Sequence, residues 1–249
     1  MSSAATSFIV FAFVFVGAML GMLLRAVLPE DHVSEASKDV VKMGMGLVAT
    51  MSALVLGLLI SSAKSSFDAL SNDVTKASSE IILLDQTLQL YGPESKEARD
   101  QLRTSVARVA DRLKESANLS QLRTSTSEVD SLYQKIQELS PKDDRQRSIQ
   151  TRALTLLISL QGTRWLMYEQ EVTSISRPML VILISWLTAL FISFGLFAPA
   201  NGTAVATLLV SALSVSAAIL LILELYTPYQ GIIKVSIAPL HAALAQLGN

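Results

Sequence analysis

Four uncharged apolar runs and one long polar stretch between the second and third set the plan of the chain. The first run, Phe8 to Leu24, is about 17 residues, just enough to cross a hydrocarbon core of about 30 Å with help from its flanks. The second begins at Met43 and stays apolar to Ala63. It then passes Lys64 without a proline or glycine until Tyr91-Gly92-Pro93. Beyond Ser65 its apolar residues keep helical spacing: Phe67, Leu70, Val74, Ala77, Ile81, Leu84 and Leu88. The pattern predicts a single helix that leaves the bilayer and becomes one wall of a water-facing bundle. Met179 to Ala198 and Ala204 to Leu223 are each about 20 residues, long enough to span, with Pro199-Ala-Asn-Gly202 as the turn between them.

Within the polar stretch the period remains helical. After Tyr91-Gly-Pro-Glu94, where Gly suits a helix end and Pro the start of the next, Ala98, Leu102, Val106, Val109 and Leu113 trace one stripe. That helix is expected to end near Asn118. Ser125-Thr-Ser-Glu128 reads as a capping box before Val129, Leu132, Tyr133, Ile136 and Leu139, with a stop at Ser140-Pro141. A further helix is expected from near Lys142 to Ser176, with Ile149, Ala153, Leu156, Leu160 and Met167 inward. No strand pattern competes. In the tail, Pro228 and Gly231 break the last span, and the segment after them is expected along the membrane face of the bundle.

The expected fold class is therefore all-α: an integral membrane protein with four transmembrane helices and a cytoplasmic helical bundle, oligomeric. Residues 1–63 hold membrane helices 1 and 2, 64–177 the bundle, 178–225 membrane helices 3 and 4, and 226–249 a membrane-proximal tail.

Charge placement sharpens this picture. The chain has 20 basic and 21 acidic residues, and 32 of these lie between Lys64 and Arg177, equally divided by sign. No basic face is available to nucleic acid. Disulfides and thiolate chemistry are excluded by the lack of cysteine. A cleaved signal peptide is the rival reading of the first run. The absence of Lys or Arg before Phe8, and of a small-residue cleavage site before Pro29, favours a retained span. Lys64, Lys76, Arg164, Arg177 and Lys234 lie on one side, against Arg25, Lys38 and Lys42 on the other. The positive-inside rule places the bundle in the cytoplasm, hence in the cell's inner membrane if the source is bacterial.

Three patches carry a family resemblance. They are Gly57-Leu-Leu-Ile-Ser-Ser-Ala-Lys64 with Ser66-Phe67-Asp68, then Leu84-Asp85-Gln-Thr-Leu with Tyr91-Gly-Pro-Glu94, and Glu224-Leu-Tyr-Thr-Pro-Tyr-Gln-Gly231 with Val235-Ser236 and Pro239-Leu240. On these the chain resembles the bestrophin-like membrane protein family, distantly related to bestrophin anion channels. The resemblance implies a ring-shaped homo-oligomer, five copies by analogy, with the second span lining a pore for an inorganic anion. Two features depart from bestrophins. Met43 to Ala63 contains no phenylalanine for a neck, and no acidic calcium clasp is evident, since Asp143-Asp144 reads as a helix cap.

Candidate chemistry follows from these spans. A Ser-His-Asp site lacks support, because His32 is expected on the membrane face opposite the bundle and His241 near the frayed end of the tail. No enzyme and no cofactor are expected. Asp31, His32, Glu35 and Asp39 read as a solvated loop in preference to a metal site, and Gly44-Met-Gly46 opens a span instead of cradling phosphate. No span carries an ionisable residue at depth, as proton-coupled transport would require. A channel needs only hydroxyls, backbone dipoles and an apolar constriction.

Thr50 and Ser52, or Ser61 and Ser62, are placed to contact an ion, with Leu54 and Leu58 as an apolar gate. Ala49, Ala53, Gly57, Ser61 and Ser65 form a small-residue ridge, suited either to packing within one subunit or to lining a central axis. The pore-lining candidates are Gly46, Thr50, Ala53, Leu54, Gly57, Leu58 and Ser61. Arg25, Glu224, Tyr226 and Tyr229 are expected as membrane-interface anchors, with the lipid bilayer and further copies of the chain as partners. The expected function is an oligomeric, anion-selective channel. The alternative is a non-conducting scaffold or sensor whose bundle binds a partner.

Overall fold

The absence of any proline between Glu35 and Tyr91 has its full effect: the segment is one unbroken helix of 57 residues. The computed structural model describes residues 2–29, 35–115, 126–172, 177–228 and 231–247. Among them are α1 (Ser3–Val27), α2 (Glu35–Tyr91), α3 (Lys96–Glu115), α4 (Thr126–Gln137), α5 (Asp144–Val172), α6 (Arg177–Phe197), α7 (Gly202–Leu225) and α8 (Ala238–Gln246), with a 3-10 turn at Pro93–Ser95. No strand occurs among the described residues. The chain divides into two compact units, Met1–Ser65 with Ser174–Tyr226, and Ser66–Thr173 with Thr227–Asn249.

The first unit contains four helices long and apolar enough to cross a membrane: α1, α6, α7 and the first half of α2. Ser2 caps α1 by accepting from the Ala5 N–H, and Asn201 caps α7 by accepting from the Ala204 N–H. Glycine brings α1 and α6 together. A Cβ on Gly21 would overlap the Ile192 carbonyl, and one on Gly195 would overlap the Ala18 carbonyl. Since Gly17 meets Thr188 while Gly21 meets Leu196, the two helices run in the same direction at this crossing. Such contact needs the spacing Gly17-x3-Gly21, because dispersion replaces the hydrophobic effect between helices in lipid. α7 is tied to α1 by a reciprocal pair: Ser7 Oγ donates to the Ser216 carbonyl at 2.8 Å, and Ser216 Oγ donates to the Ser7 carbonyl at 2.7 Å. Both serines are buried.

The second unit packs the rest of α2 with α3, α4, α5 and α8. Leu84, Leu88, Leu102, Ile136 and Leu157 centre its core. A second cluster joins Leu70, Val74, Met167 and Val235. α4 ends at Gln137, and Gln150 Nε2 closes it by donating to the carbonyls of Ile136 and Leu139, each at 2.8 Å. α5 begins at Asp144, two residues later than expected. Asp143 supplies the cap, accepting from the Gln146 N–H at 2.6 Å. Its inward face centres on Leu157, 1% exposed, where Leu156 was expected; Leu156 is only partly buried. The expected end of the second polar helix near Asn118, the cap residue Ser125 and the expected end at Ser176 lie outside the described residues.

The tail adds a short helix that its periodicity did not predict. Pro239 opens α8, and Leu240, Ala243 and Leu247 enter the same core as Leu84 and Leu157. The segment from Thr227 onward belongs to the second unit. Leu240, Ala243 and Leu247 share one face at i, i+3 and i+7, a stripe too short to declare itself before its partners are known.

Candidate functional site

All seven pore-lining candidates are uncovered within one chain. Gly46, Thr50, Ala53, Leu54, Gly57, Leu58 and Ser61 are exposed, with Leu54 at 65% and Leu58 at 57%. At about 100° per residue they occupy an arc of about 140° on α2. The buried stripe of the same stretch, Ser52, Leu59 and Ala63, lies roughly opposite. Ser52, weighed alongside Thr50 as an ion contact, therefore sits on the covered side, and its Oγ is buried without a hydrogen-bond partner. Only 11% of the apolar window of α2 is buried, against 28 to 33% in the other three spans. This helix is the least covered of the four.

The small residues of that face are not used inside the chain. A Cβ added at Gly44, Gly46 or Gly57 meets nothing within 4 Å. Glycine inside a helix costs about 0.8–1 kcal/mol relative to alanine. At Gly21 and Gly195 close packing offsets that cost; on the open face of α2 nothing in the same chain does.

Hydroxyl chemistry varies along the face. Thr50 Oγ1 donates to the Gly46 carbonyl at 2.9 Å, so its proton is turned back into the helix and its lone pairs face outward. Near the end of the span, Ser62 Oγ accepts from the Tyr226 hydroxyl at 3.1 Å, which leaves its own proton to donate. Ser62 can therefore donate outward where Thr50 cannot.

The expected anchors have distinct surroundings. Arg25 is exposed in the last turn of α1 and its Nη1 donates to the Ala198 carbonyl, closing the end of α6. Tyr226 caps α7 and bonds Ser62. Glu224, expected at the rim, is buried at 6% exposure. Tyr229 lies outside the described residues, as do Asp31 and His32; Glu35 pairs with Lys38 at 3.4 Å. Among the described residues no three His, Asp or Glu side chains gather as a metal set.

The second unit has polar sites that the sequence did not single out. Asp85, 5% exposed, holds Arg99 through two bonds, Nε to Oδ1 at 2.8 Å and Nη2 to Oδ2 at 2.9 Å. Glu80, also buried, accepts from Ser159 at 2.6 Å and Thr163 at 3.3 Å. The Gly17-x3-Gly21 spacing was a readable signal for the α1 crossing. No comparable signal pairs Asp85 with Arg99 or Glu80 with α5, because such partners meet only after folding.

The turn after α2 is locked. Gly92 takes φ 125°, and Ser95 Oγ donates to the carbonyls of Leu88 and Gly92. Lys142 bonds Glu94, and Gln146 Nε2 donates to the Tyr91 carbonyl at 3.0 Å. Burial, then the Glu94 carboxylate, raises the Tyr91 phenol above 10.0. The Lys142 bond lowers Glu94 below 4.5 and raises Lys142 above 10.5. The raised groups stabilise below their unfolded values and lose this as pH rises through the folded ones; Glu94 stabilises above its unfolded value and loses this as pH falls. Melting of the full chain should thus be flattest between pH 4.5 and 10.0 and fall at both edges. Tyr91→Phe should shrink the alkaline fall and leave neutral stability unchanged or higher, since the buried hydroxyl has no partner. An unchanged alkaline limb in that variant would refute the assignment.

A four-span helical membrane protein with a separate polar helical unit is the class these features define. The Bestrophin-like domain family matches residues 11–240, and the chain belongs to it. No curated protein and no solved structure matches the chain.

Proposed function

We propose that the protein is an oligomeric ion channel, selective for inorganic anions, with α2 lining the pore. The observation that carries this reading is the open face of α2, where the seven candidates lie opposite the buried stripe and a Cβ at Gly46 or Gly57 would meet no neighbour. Copies of the chain around an axis would bring these faces together. Membership of the Bestrophin-like domain family supports the same reading, and five copies follow by analogy with bestrophins. Uncharged walls with hydroxyls and an apolar pair at Leu54 and Leu58 suit passive conduction. The distribution of Lys and Arg supports a cytoplasmic polar unit.

Purified protein in planar bilayers is expected to give anion currents, and Leu54→Ala or Thr50→Val to change unit conductance by about twofold or more. Silence from an intact oligomer sinks the proposal. A monomeric particle in detergent does the same. The second reading, a scaffold or sensor, has its own support in the exposed Ile158, Trp165 and Leu166 on α5, an apolar strip of the kind partners cover.

A further inference from the structure

We propose that the polar unit binds the diphosphate group of a small metabolite in an open cleft between the end of α2 and the start of α3. This inference does not depend on conduction. Asp85 and Gln89 of α2 form one wall, and Lys96, Arg99, Asp100 and Arg103 of α3 the other. Lys96, Arg99 and Arg103 follow one another at i, i+3 and i+7, so they share one stripe of the helix. Three cations therefore line the same space.

The central one is fixed. Asp85 is buried and holds the Arg99 guanidinium by Nε and Nη2, which leaves the Nη1 amino group outside that fork. A guanidinium already locked in place loses little freedom when it meets a ligand. Lys96 and Arg103 stand exposed to either side of it along the stripe, and neither pairs with a carboxylate among the described residues. Of the two carboxylates in the wall, Asp85 is neutralised by Arg99, and Asp100 alone opposes an anion. The balance favours a polyanion. From Lys96 to Arg103 the stripe runs about 10 Å along the helix axis. One phosphate engages one or two of these side chains; two linked phosphates, with charge spread over several oxygens, engage all three. Arg meets phosphate oxygens with paired N–H donors and Lys adds a point charge.

The test uses the full chain in phosphatidylcholine nanodiscs, titrated by calorimetry at fixed ionic strength with sodium pyrophosphate and, separately, with dimethyl phosphate. The latter stands in for the phosphodiester of a lipid headgroup. Saturable pyrophosphate binding is expected, with dimethyl phosphate at least about tenfold weaker. Lys96→Gln and Arg103→Gln alter exposed positions and should fold normally, each weakening pyrophosphate about tenfold. Asp100→Asn removes the opposing charge and should tighten binding. Arg152→Gln, at an exposed cation of α5 outside the cleft, should leave it unchanged. Lack of saturable pyrophosphate binding to the unmodified chain overturns the proposal. Undiminished binding in Lys96→Gln and Arg103→Gln, or equal weakening in Arg152→Gln, shows only diffuse attraction to basic surface and overturns it too. Equal affinity for dimethyl phosphate overturns the diphosphate assignment.

Discussion

Gly21→Ala or Gly195→Ala is expected to destabilise the membrane unit by about 3 kcal/mol or more, the upper range for overpacking. A single methyl is enough, because the atom it strikes is backbone. The Gly21 Cβ would overlap the Ile192 carbonyl, and the Gly195 Cβ the Ala18 carbonyl, so no side-chain rotation relieves either clash. α1 and α6 must separate, and their loss of contact also disturbs the Arg25 bond to Ala198 at the end of the same crossing. Thermal unfolding of the full chain in detergent measures the effect. Gly57→Ala is the matched control, since its Cβ meets nothing within 4 Å. Within one chain it should gain about 0.8–1 kcal/mol of helix propensity. In an assembly built on the α2 face it should instead weaken subunit association. Wild-type stability in Gly21→Ala would show that the close crossing is not formed.

Arg99→Ala is expected to destabilise the polar unit markedly. Asp85 is buried at 5% exposure and has both carboxylate oxygens bonded by the Arg99 guanidinium. Breaking a buried pair by removing one partner costs about 3–5 kcal/mol. The Arg99 side chain is 21% exposed, so solvent screening moves the expectation to about 2–3 kcal/mol. Arg99→Lys keeps the charge and loses the fork, and should fall between the two. Asp85→Leu combined with Arg99→Leu should recover much of the loss, because it leaves no uncompensated charge. Urea unfolding of these three variants beside the parent reads this order directly. A single Arg99→Ala variant as stable as the parent would mean that the bidentate pair contributes nothing.

Much of this architecture was legible beforehand because it depends on local chemistry. Uncharged runs of sufficient length announce spans, and a stretch from Glu35 to Tyr91 without proline, interrupted only by glycines in the apolar span, announces one helix. Asp143 was readable as a cap from its place after Pro141, and the Gln146 N–H bond bears that out. The open face of α2 was only half legible. Periodicity grouped the small residues, but whether Ala53 and Gly57 faced their own subunit or its outside depended on where α1, α6 and α7 went. The burial of Ser52, Leu59 and Ala63 decided that point.

By itself the sequence determined the helices, their order, the division between apolar and polar segments and the family resemblance, all of which follow from composition, period and short-range breakers. Tertiary structure alone decided that α8 enters the core of the polar unit and that Asp85 meets Arg99. It also decided that Ser7 bonds Ser216 and that Glu80 meets Ser159. These contacts join residues far apart in the chain. Their energy depends on what each side chain faces after folding, which no run of neighbouring residues encodes.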